Sequence, residues 1–169
     1  EQLGQSMPGT HSQPDLTRED WDRLQKLEAP RQAVMLAEIG RRDDADDALR
    51  YQTRICDPQD FVALTRLARA LGLAGTQTFM AYNAPRGAVS PPSLRFPVAG
   101  YTPRGGWRVD PALAFAHALQ ESNFREGVVS PANAIGLMQI RPIAAREYAS
   151  SINMNANTVN LKDAGTNLA

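Results

Sequence analysis

The sequence predicts an all-α protein. Apolar side chains recur every three or four residues over most of the chain, and no segment shows the alternation that is typical of a strand. Helix-start signals occur at Thr17, Asp57-Pro58 and Asp110-Pro111. The 169 residues are 43% hydrophobic and 21% charged, close to the average for globular proteins. The chain can therefore bury a core, as one domain or as two small ones.

Residues 17–83 predict a row of helical hairpins, preceded by a flexible lead-in over 1–16 that is rich in Gly, Ser, Gln and Pro. Thr17 and Asp20 have the spacing of a capping box and start the first helix. The other helices are expected from about Pro30 to Gly40, Arg42 to Cys56, Asp57-Pro58 to Gly72, and Gly75 to Tyr82.

The third of these helices carries a run of charged residues, which is interpreted as a solvated face. Cys56 at its end is the only cysteine, so an intrachain disulfide framework and a cysteine-rich metal site are both excluded. We expect Cys56 to be a small buried residue. No metal and no cofactor are predicted.

Residues 84–109 differ in composition, because they hold 5 of the 12 prolines and 4 of the 12 glycines. Regular helix is not expected there. The segment is interpreted as a connector, anchored by Phe96, Tyr101 and Trp107, between the hairpins and a second unit over 110–169.

The net charge of zero hides an uneven distribution. Residues 1–60 hold 13 acidic and 8 basic side chains (−5), residues 61–169 hold 5 and 10 (+5), and no carboxylate side chain occurs from 61 to 109. Attraction between the two halves and an anionic partner are both open. A nucleic acid is not predicted, since no Lys/Arg cluster, zinc spacing or RNA-binding signature is present. No stretch reaches the roughly 18 apolar residues of a membrane span.

Asp110-Pro111 starts a helix that is apolar through Leu119 except for His117, and such a helix is expected to be buried. It delivers Glu121 at its end. A buried carboxyl group retains its proton more readily, as a general acid working near neutral pH requires. We expect one face of this helix to line a cleft, formed by Ala114, His117, Ala118 and Glu121.

Glu121 opens a longer motif. The chain reads E-S-N-F at 121–124, S-P-A-N-A-I at 130–135 and G-L-M-Q-I at 136–140, with Pro142 following. This resembles the soluble lytic murein transglycosylase family (SLT domain, of the glycoside hydrolase family 23 type), which carries E-S-x-F/W, S-P-x-G-A-x-G-L-M-Q and M-P-x-T-A at the same spacing. The resemblance implies that 110–169 is the N-terminal part of a lysozyme-like all-α catalytic domain, and that 17–83 belongs to the helical superhelix before it.

The resemblance also implies a reaction, the cleavage of the β-1,4 bond between N-acetylmuramic acid and N-acetylglucosamine in peptidoglycan. Glu121 would act first as acid and then as base, leaving a 1,6-anhydromuramyl product. Hydrolysing glycosidases normally need two carboxylates. After Glu121 the chain offers only Glu126, Glu147 and Asp163, none of them in a recognisable motif.

Substrate-binding residues carry over by position. Ser130 matches the family serine that faces the sugar, and Gln139 matches the glutamine of G-L-M-Q. Ser122 and Met138 lie in the same motifs, with packing as the alternative role. Arg141 stands where the family has Met, and is expected either to pair with a substrate carboxylate or to point to solvent.

Smaller features of the motif give further expectations. Ala144 stands where the family has Thr. Asn133 replaces a Gly and can adopt a left-handed backbone conformation. Gly136 is suited to a close backbone approach.

Two alternatives to a lytic transglycosylase stay open, a goose-type-lysozyme-like muramidase and a non-catalytic peptidoglycan-binding remnant. The family's A-Y-N-x-G motif is expected beyond residue 169, so we expect this sequence to be a fragment; Ala81-Tyr82-Asn83 precedes Glu121 and is taken as coincidence. The predicted partner is peptidoglycan, and the predicted location is the periplasm or cell envelope, with a signal peptide already removed.

Overall fold

The computed structural model describes residues 15–97, 99–155 and 159–169. Most of the predicted lead-in, 1–14, lies outside these residues. The chain divides into two compact units, Glu1–Val98 and Ala99–Ala169. The described residues form helices and loops with no strand, apart from the isolated bridges Val129–Ile135 and Ile135–Ile140. The all-α prediction is therefore confirmed.

Five α-helices form in the described part of the first unit, and the predicted starts and stops agree with most of them. Thr17 and Asp20 form the predicted capping box, with each side chain accepting a hydrogen bond from the other residue's backbone N–H. The second helix begins two residues before Pro30, and Gly40 ends it with φ +79°. The helices are α1 (Arg18–Leu24), α2 (Glu28–Glu38), α3 (Arg42–Ile55), α4 (Phe61–Ala70) and α5 (Ala74–Tyr82).

The predicted start of α4 at Asp57-Pro58 is wrong by about one turn. Asp57 Oδ1 accepts a hydrogen bond from Gln59 N (2.9 Å), and Asp57 O accepts one from Asp60 N (2.9 Å). Asp57 and Pro58 thus begin a turn that is closed by the side chain of Asp57. Helix α4 begins only after it, at Phe61.

The core of the first unit collects the apolar faces of all five helices. It contains the fully buried side chains of Leu24, Leu49, Phe61, Leu64, Leu67 and Met80. Cys56 is buried as expected, and its Sγ donates to Thr53 O at 3.4 Å.

The charge run of α3 is not simply a solvated face. Asp46 is only 5% exposed, accepts a hydrogen bond from Thr76 Oγ1 on α5, and lies 2.6 Å from Arg50 Nε. Ala45 and Leu49 of α3 are buried in the core. Asp46 is next to Ala45 in sequence and lies on the side of α3 that contacts α5. A buried carboxylate needs such partners, since it has lost its water.

The segment 84–109 contains one turn of 3₁₀-helix, Pro92–Arg95, and no α-helix among its described residues. Leu94 is fully buried, whereas Phe96 is 78% exposed. Phe96 is therefore not the anchor that the sequence suggested. Trp107 makes an edge-to-face contact with Phe115 at 5.4 Å between ring centroids.

The first helix of the second unit is also the longest one described there. Helix α6 (Pro111–Ser122) is followed by α7 (Pro142–Tyr148), a 3₁₀ turn (Ala149–Ile152) and α8 (Ala164–Asn167). Asp110 caps α6 as predicted, accepting a hydrogen bond from Ala112 N at 2.8 Å. None of the helices that the structure describes has the length and apolar character needed to cross a bilayer.

The prediction that α6 is buried on all sides is wrong. Only Ala114, Ala118 and Ser122 are buried, while Leu113 is 54% exposed. These three residues are four apart and form one narrow stripe, so the rest of the unit covers α6 along a single line.

Candidate active site

The chain reverses direction directly after Glu121. Asn123 (φ 52°) and Phe124 (φ 60°) are both in the left-handed region, and Phe124 N donates to Ala118 O at 3.3 Å. This bond closes the end of α6 in the manner of a Schellman motif. The Phe124 ring is buried and contacts Phe115 at 6.4 Å between centroids. Burial of this ring stabilises a backbone conformation that is uncommon for phenylalanine.

Glu121 itself is exposed, and so is His117. Of the face that was expected to line a cleft, Ala114 and Ala118 are buried and only His117 and Glu121 are exposed, so the cleft itself stays a prediction. The buried stripe passes through Ser122, the next residue along α6, whose Oγ donates to Ala118 O at 3.0 Å. Since successive helix residues are about 100° apart, Glu121 lies beside that stripe rather than on it.

Residues 128–140 fold into a compact double turn that we call the motif loop. Gly136 N donates to Val128 O (2.9 Å), and Ser130 N donates to Ala134 O (2.9 Å). Ile135 and Ile140 exchange both backbone hydrogen bonds, at 3.0 and 3.1 Å. The loop therefore satisfies many of its own backbone groups, as a well-ordered loop requires.

Left-handed residues make the turns of the motif loop. Asn133 has φ 59°, which confirms the expected left-handed conformation, and Gln139 has φ 48°. Gly136 has φ 77°, and a Cβ atom there would lie 2.4 Å from both Asn167 Nδ2 and Leu161 O. The close backbone approach expected at Gly136 is confirmed.

Asn167 has a role at the motif loop that the sequence did not predict. It is 1% exposed, and its Nδ2 donates to Ile135 O (2.9 Å) and to Leu161 O (2.8 Å). Its Oδ1 accepts a hydrogen bond from Met138 N at 2.6 Å. One buried amide thus joins the motif loop to the end of the unit. A run of Asn, Leu, Ala and Gly near residue 167 is too ordinary in composition to have indicated this role.

Two of the predicted substrate-binding side chains, Ser130 and Gln139, form hydrogen bonds with backbone atoms of the motif loop. Ser130 Oγ accepts a hydrogen bond from Ala134 N at 3.0 Å. Gln139 Nε2 donates to Gly136 O at 3.0 Å and to Val128 O at 3.4 Å. Met138 is partly buried and Ser122 is buried. Their roles toward a substrate stay predictions.

Arg141 is exposed and stands at the start of α7, where its carbonyl accepts a hydrogen bond from Ala145 N. An apolar cavity of about 200 Å³ lies beside α7, and no predicted site residue is among the side chains that line it. Its lining residues are Ile140, Ala144, Ala145, Tyr148, Ala149, Met154, Val159, Leu161, Thr166 and Ala169.

Two carboxylates of the second unit have structural roles. Asp110 caps α6, and Asp163 caps α8 by accepting hydrogen bonds from Thr166 N (2.9 Å) and Thr166 Oγ1. The bonds from Thr166, with Arg104 at 3.5 Å, lower the pKa of Asp163 from its ordinary 3.8. Glu147 is exposed on α7. No three His, Cys, Asp or Glu side chains of the described chain are grouped to hold a metal ion.

Comparisons with known proteins agree with this architecture. Residues 103–169 match the family model described as "Transglycosylase SLT domain". No curated protein matches the chain. The crystal structure of the 70 kDa soluble lytic transglycosylase SLT70 from Escherichia coli, at 1.65 Å resolution, is similar with a TM-score of 0.66 and 20% identity. The match covers 92% of this chain and 26% of that one, so this chain spans about a quarter of that structure's length. At this identity, the likeness is one of fold.

Proposed function

Residues 103–169 belong to the family of transglycosylase SLT domains, and on that premise we propose that this chain is part of a peptidoglycan lytic transglycosylase. The reaction is cleavage of the β-1,4 bond between N-acetylmuramic acid and N-acetylglucosamine with formation of a 1,6-anhydromuramyl end. The observation that carries this proposal is that the family match spans both Glu121 and the motif loop.

In the proposed mechanism Glu121 is the only titrating catalytic group. Its carboxyl proton goes to the glycosidic oxygen as the bond from that oxygen to the muramyl C1 breaks. The muramyl C6 hydroxyl oxygen then bonds to C1, and its proton goes to the Glu121 carboxylate. No water is consumed and the carboxyl group is regenerated. The exposure of Glu121 at the end of α6 leaves it accessible to a polymeric substrate.

Two other carboxylates of the second unit, Asp110 and Asp163, are already engaged in helix capping. A hydrolase would need a second carboxylate as nucleophile or base. Asp110 and Asp163 already accept hydrogen bonds from backbone N–H groups at helix starts. The lowered pKa of Asp163 agrees with a permanently charged helix cap, and its Oδ1 is already occupied by the hydrogen bonds from Thr166.

The motif loop is the proposed sugar-binding platform. Ser130 Oγ accepts one hydrogen bond from the protein, which leaves its O–H to donate to a sugar oxygen. Gln139 uses its Nε2 within the loop, which leaves Oε1 to accept from a sugar hydroxyl or an acetamido N–H. For Met138 and Ser122 a packing role is proposed. Arg141 is proposed to meet a carboxylate of the substrate at the start of α7.

The proposal extends to the organisation and location of the protein. We propose that 17–83 continues the superhelix that precedes such a catalytic domain, that 84–109 connects the two, and that 110–169 is the N-terminal part of the domain. Peptidoglycan is the proposed partner, which places the protein in the periplasm or cell envelope.

The test uses the complete gene product, digestion of purified murein and mass spectrometry of the products. A transglycosylase leaves products lighter by one water molecule than those of a muramidase. Glu121→Gln keeps the size of the side chain but cannot donate a proton to the leaving oxygen, so the rate should fall by about 10²–10⁴-fold or more. Glu147→Gln, also an exposed carboxylate of this unit, is the matched control and should keep the wild-type rate. Hydrated products, or a rate for Glu121→Gln within tenfold of wild type, would contradict the proposal.

A further inference from the structure

Arginine and aromatic side chains meet on α3, α5 and the 3₁₀ turn Pro92–Arg95 of the first unit. The guanidinium groups of Arg50 and Arg54 each lie 5.3 Å from the ring centre of Phe79. Arg95 lies 5.8 Å from the ring centre of Tyr82. Phe79 and Tyr82 are three residues apart on α5 and share one face of it. These five residues form one surface, which we call the arginine–aromatic patch.

Two arginines of this patch have no carboxylate partner among the described residues. Arg50 is paired with Asp46 at 2.6 Å. Arg54 and Arg95 are both exposed, and each has a cation–π contact with a ring. A guanidinium held over a ring by a cation–π contact keeps its N–H donors at the edge of its plane, where a ligand can reach them.

The patch has an excess of positive charge, since only Arg50 of its three arginines is paired with a carboxylate among the described residues, and its neighbours are partly apolar. No carboxylate side chain occurs from 61 to 109, the stretch that supplies α5 and the 3₁₀ turn. The acidic residues of α3 all lie in its first half, 43–47, away from Arg54 at its C-terminal end. Tyr51 and Ile55 of α3 are 59% and 58% exposed and directly follow the two arginines in sequence. The surface therefore suits a ligand that has both carboxylates and apolar groups.

We propose that the arginine–aromatic patch binds carboxylates on the peptide stems of murein, at a distance along the chain from Glu121. The inference rests on the proposed function, because that function supplies a polymer that carries both stems and sugars. Guanidinium groups recognise carboxylates through paired N–H donors, and the rings beside them offer stacking surface for apolar parts of the stem. A nucleic acid is less suited, since two unpaired guanidinium groups do not make the extended basic surface that a phosphate backbone requires.

The test measures binding of fluorescently labelled glycan chains to the complete gene product by anisotropy at low ionic strength. Chains with intact stems are compared with the same chains after an amidase has removed the stems. Arg54→Gln/Arg95→Gln should weaken binding of the stem-bearing chains about three- to tenfold, the range for two exposed charge contacts, and should leave stem-free chains unaffected. Arg18→Gln/Arg31→Gln is the matched control, because both arginines are exposed and neither contacts a ring among the described residues.

Several results would overturn this inference. These are an equal loss on stem-free chains, an equal loss in the control variant, and equally tight binding of a DNA strand matched in charge to the stem-bearing chains. Analysis of the murein digestion products distinguishes a failure of this inference from a failure of the proposed function. Anhydro products with unchanged binding in Arg54→Gln/Arg95→Gln overturn the patch alone, whereas the absence of anhydro products from wild type overturns the proposed function.

Discussion

Replacement of Gly136 by alanine should destabilise the second unit strongly, because two independent costs meet at this position. The left-handed backbone at φ 77° costs a residue with a Cβ atom about 1–2 kcal/mol. The new Cβ would lie 2.4 Å from both Leu161 O and Asn167 Nδ2, well inside van der Waals contact. Relief requires the hydrogen bond between those two atoms, 2.8 Å long, to shift, and overpacking of this kind costs about 1–3 kcal/mol. We expect a total loss of about 3 kcal/mol or more.

The measurement is urea denaturation followed by tryptophan fluorescence. The chain has two tryptophans, Trp21 in the first unit and Trp107 in the second, so a Trp21→Phe background reports on the second unit. Gly100→Ala is the matched control, since a Cβ there meets nothing within 4 Å. It should change the free energy of unfolding by less than about 0.5 kcal/mol.

A double-mutant cycle tests the reasoning itself. Asn167→Ala removes one of the two atoms that the new Cβ would meet, so Gly136→Ala should cost less in that background than in wild type. A loss below about 1 kcal/mol for Gly136→Ala in the wild-type background would refute the close approach on which this reasoning depends.

Three further predictions concern single residues. Asn167→Ala should lower the free energy of unfolding by about 3 kcal/mol, because it deletes three hydrogen bonds of a buried side chain and leaves their backbone partners unpaired. Urea denaturation measures this loss, and a value under about 1 kcal/mol would contradict the prediction. Burial by itself raises the pKa of Asp20, but hydrogen bonds from Arg66 and the helix cap outweigh it and hold the pKa below 3.8. The first unit should therefore lose stability as the pH falls from 3.8 toward that lower value, and Asp20→Asn, already less stable at neutral pH, should show a flatter dependence of its unfolding midpoint on pH. Burial, followed by the nearby Asp60 carboxylate, raises the pKa of the Cys56 thiol, so an aromatic disulfide reagent at neutral pH should label Cys56 slowly in the folded protein and rapidly in urea. Equal labelling rates in the two states would contradict its burial.

The sequence by itself determined features that depend on neighbouring residues. The capping box at Thr17, the Asp110-Pro111 start of α6, and the left-handed turns at Gly40 and Asn133 are all local conformational preferences, and the structure has each of them. The all-α class follows from the same local signals, added over many helices. The motif from Glu121 to Gln139 predicted the similarity of residues 103–169 to the SLT domain model, because the spacing of a motif can be read directly along the chain.

Burial was decided only by the tertiary structure. The composition of α6 predicted a buried helix, yet the second unit covers only the stripe through Ala118. The charge run of α3 predicted a wet face, yet Asp46 is buried because Thr76 on α5 meets it. Which side of a helix is covered depends on partners 30 or more residues away, and helical periodicity contains no information about those partners.

Asn167 shows the same limit at the candidate site. Its neighbours in sequence give no indication that its amide would be buried, and its three hydrogen bonds reach Ile135, Met138 and Leu161. The site was therefore predictable where the chemistry lies in one contiguous motif. The buried amide that holds the motif loop became visible only when the chain folded back on itself, because a buried polar group is selected by the backbone atoms that surround it in space.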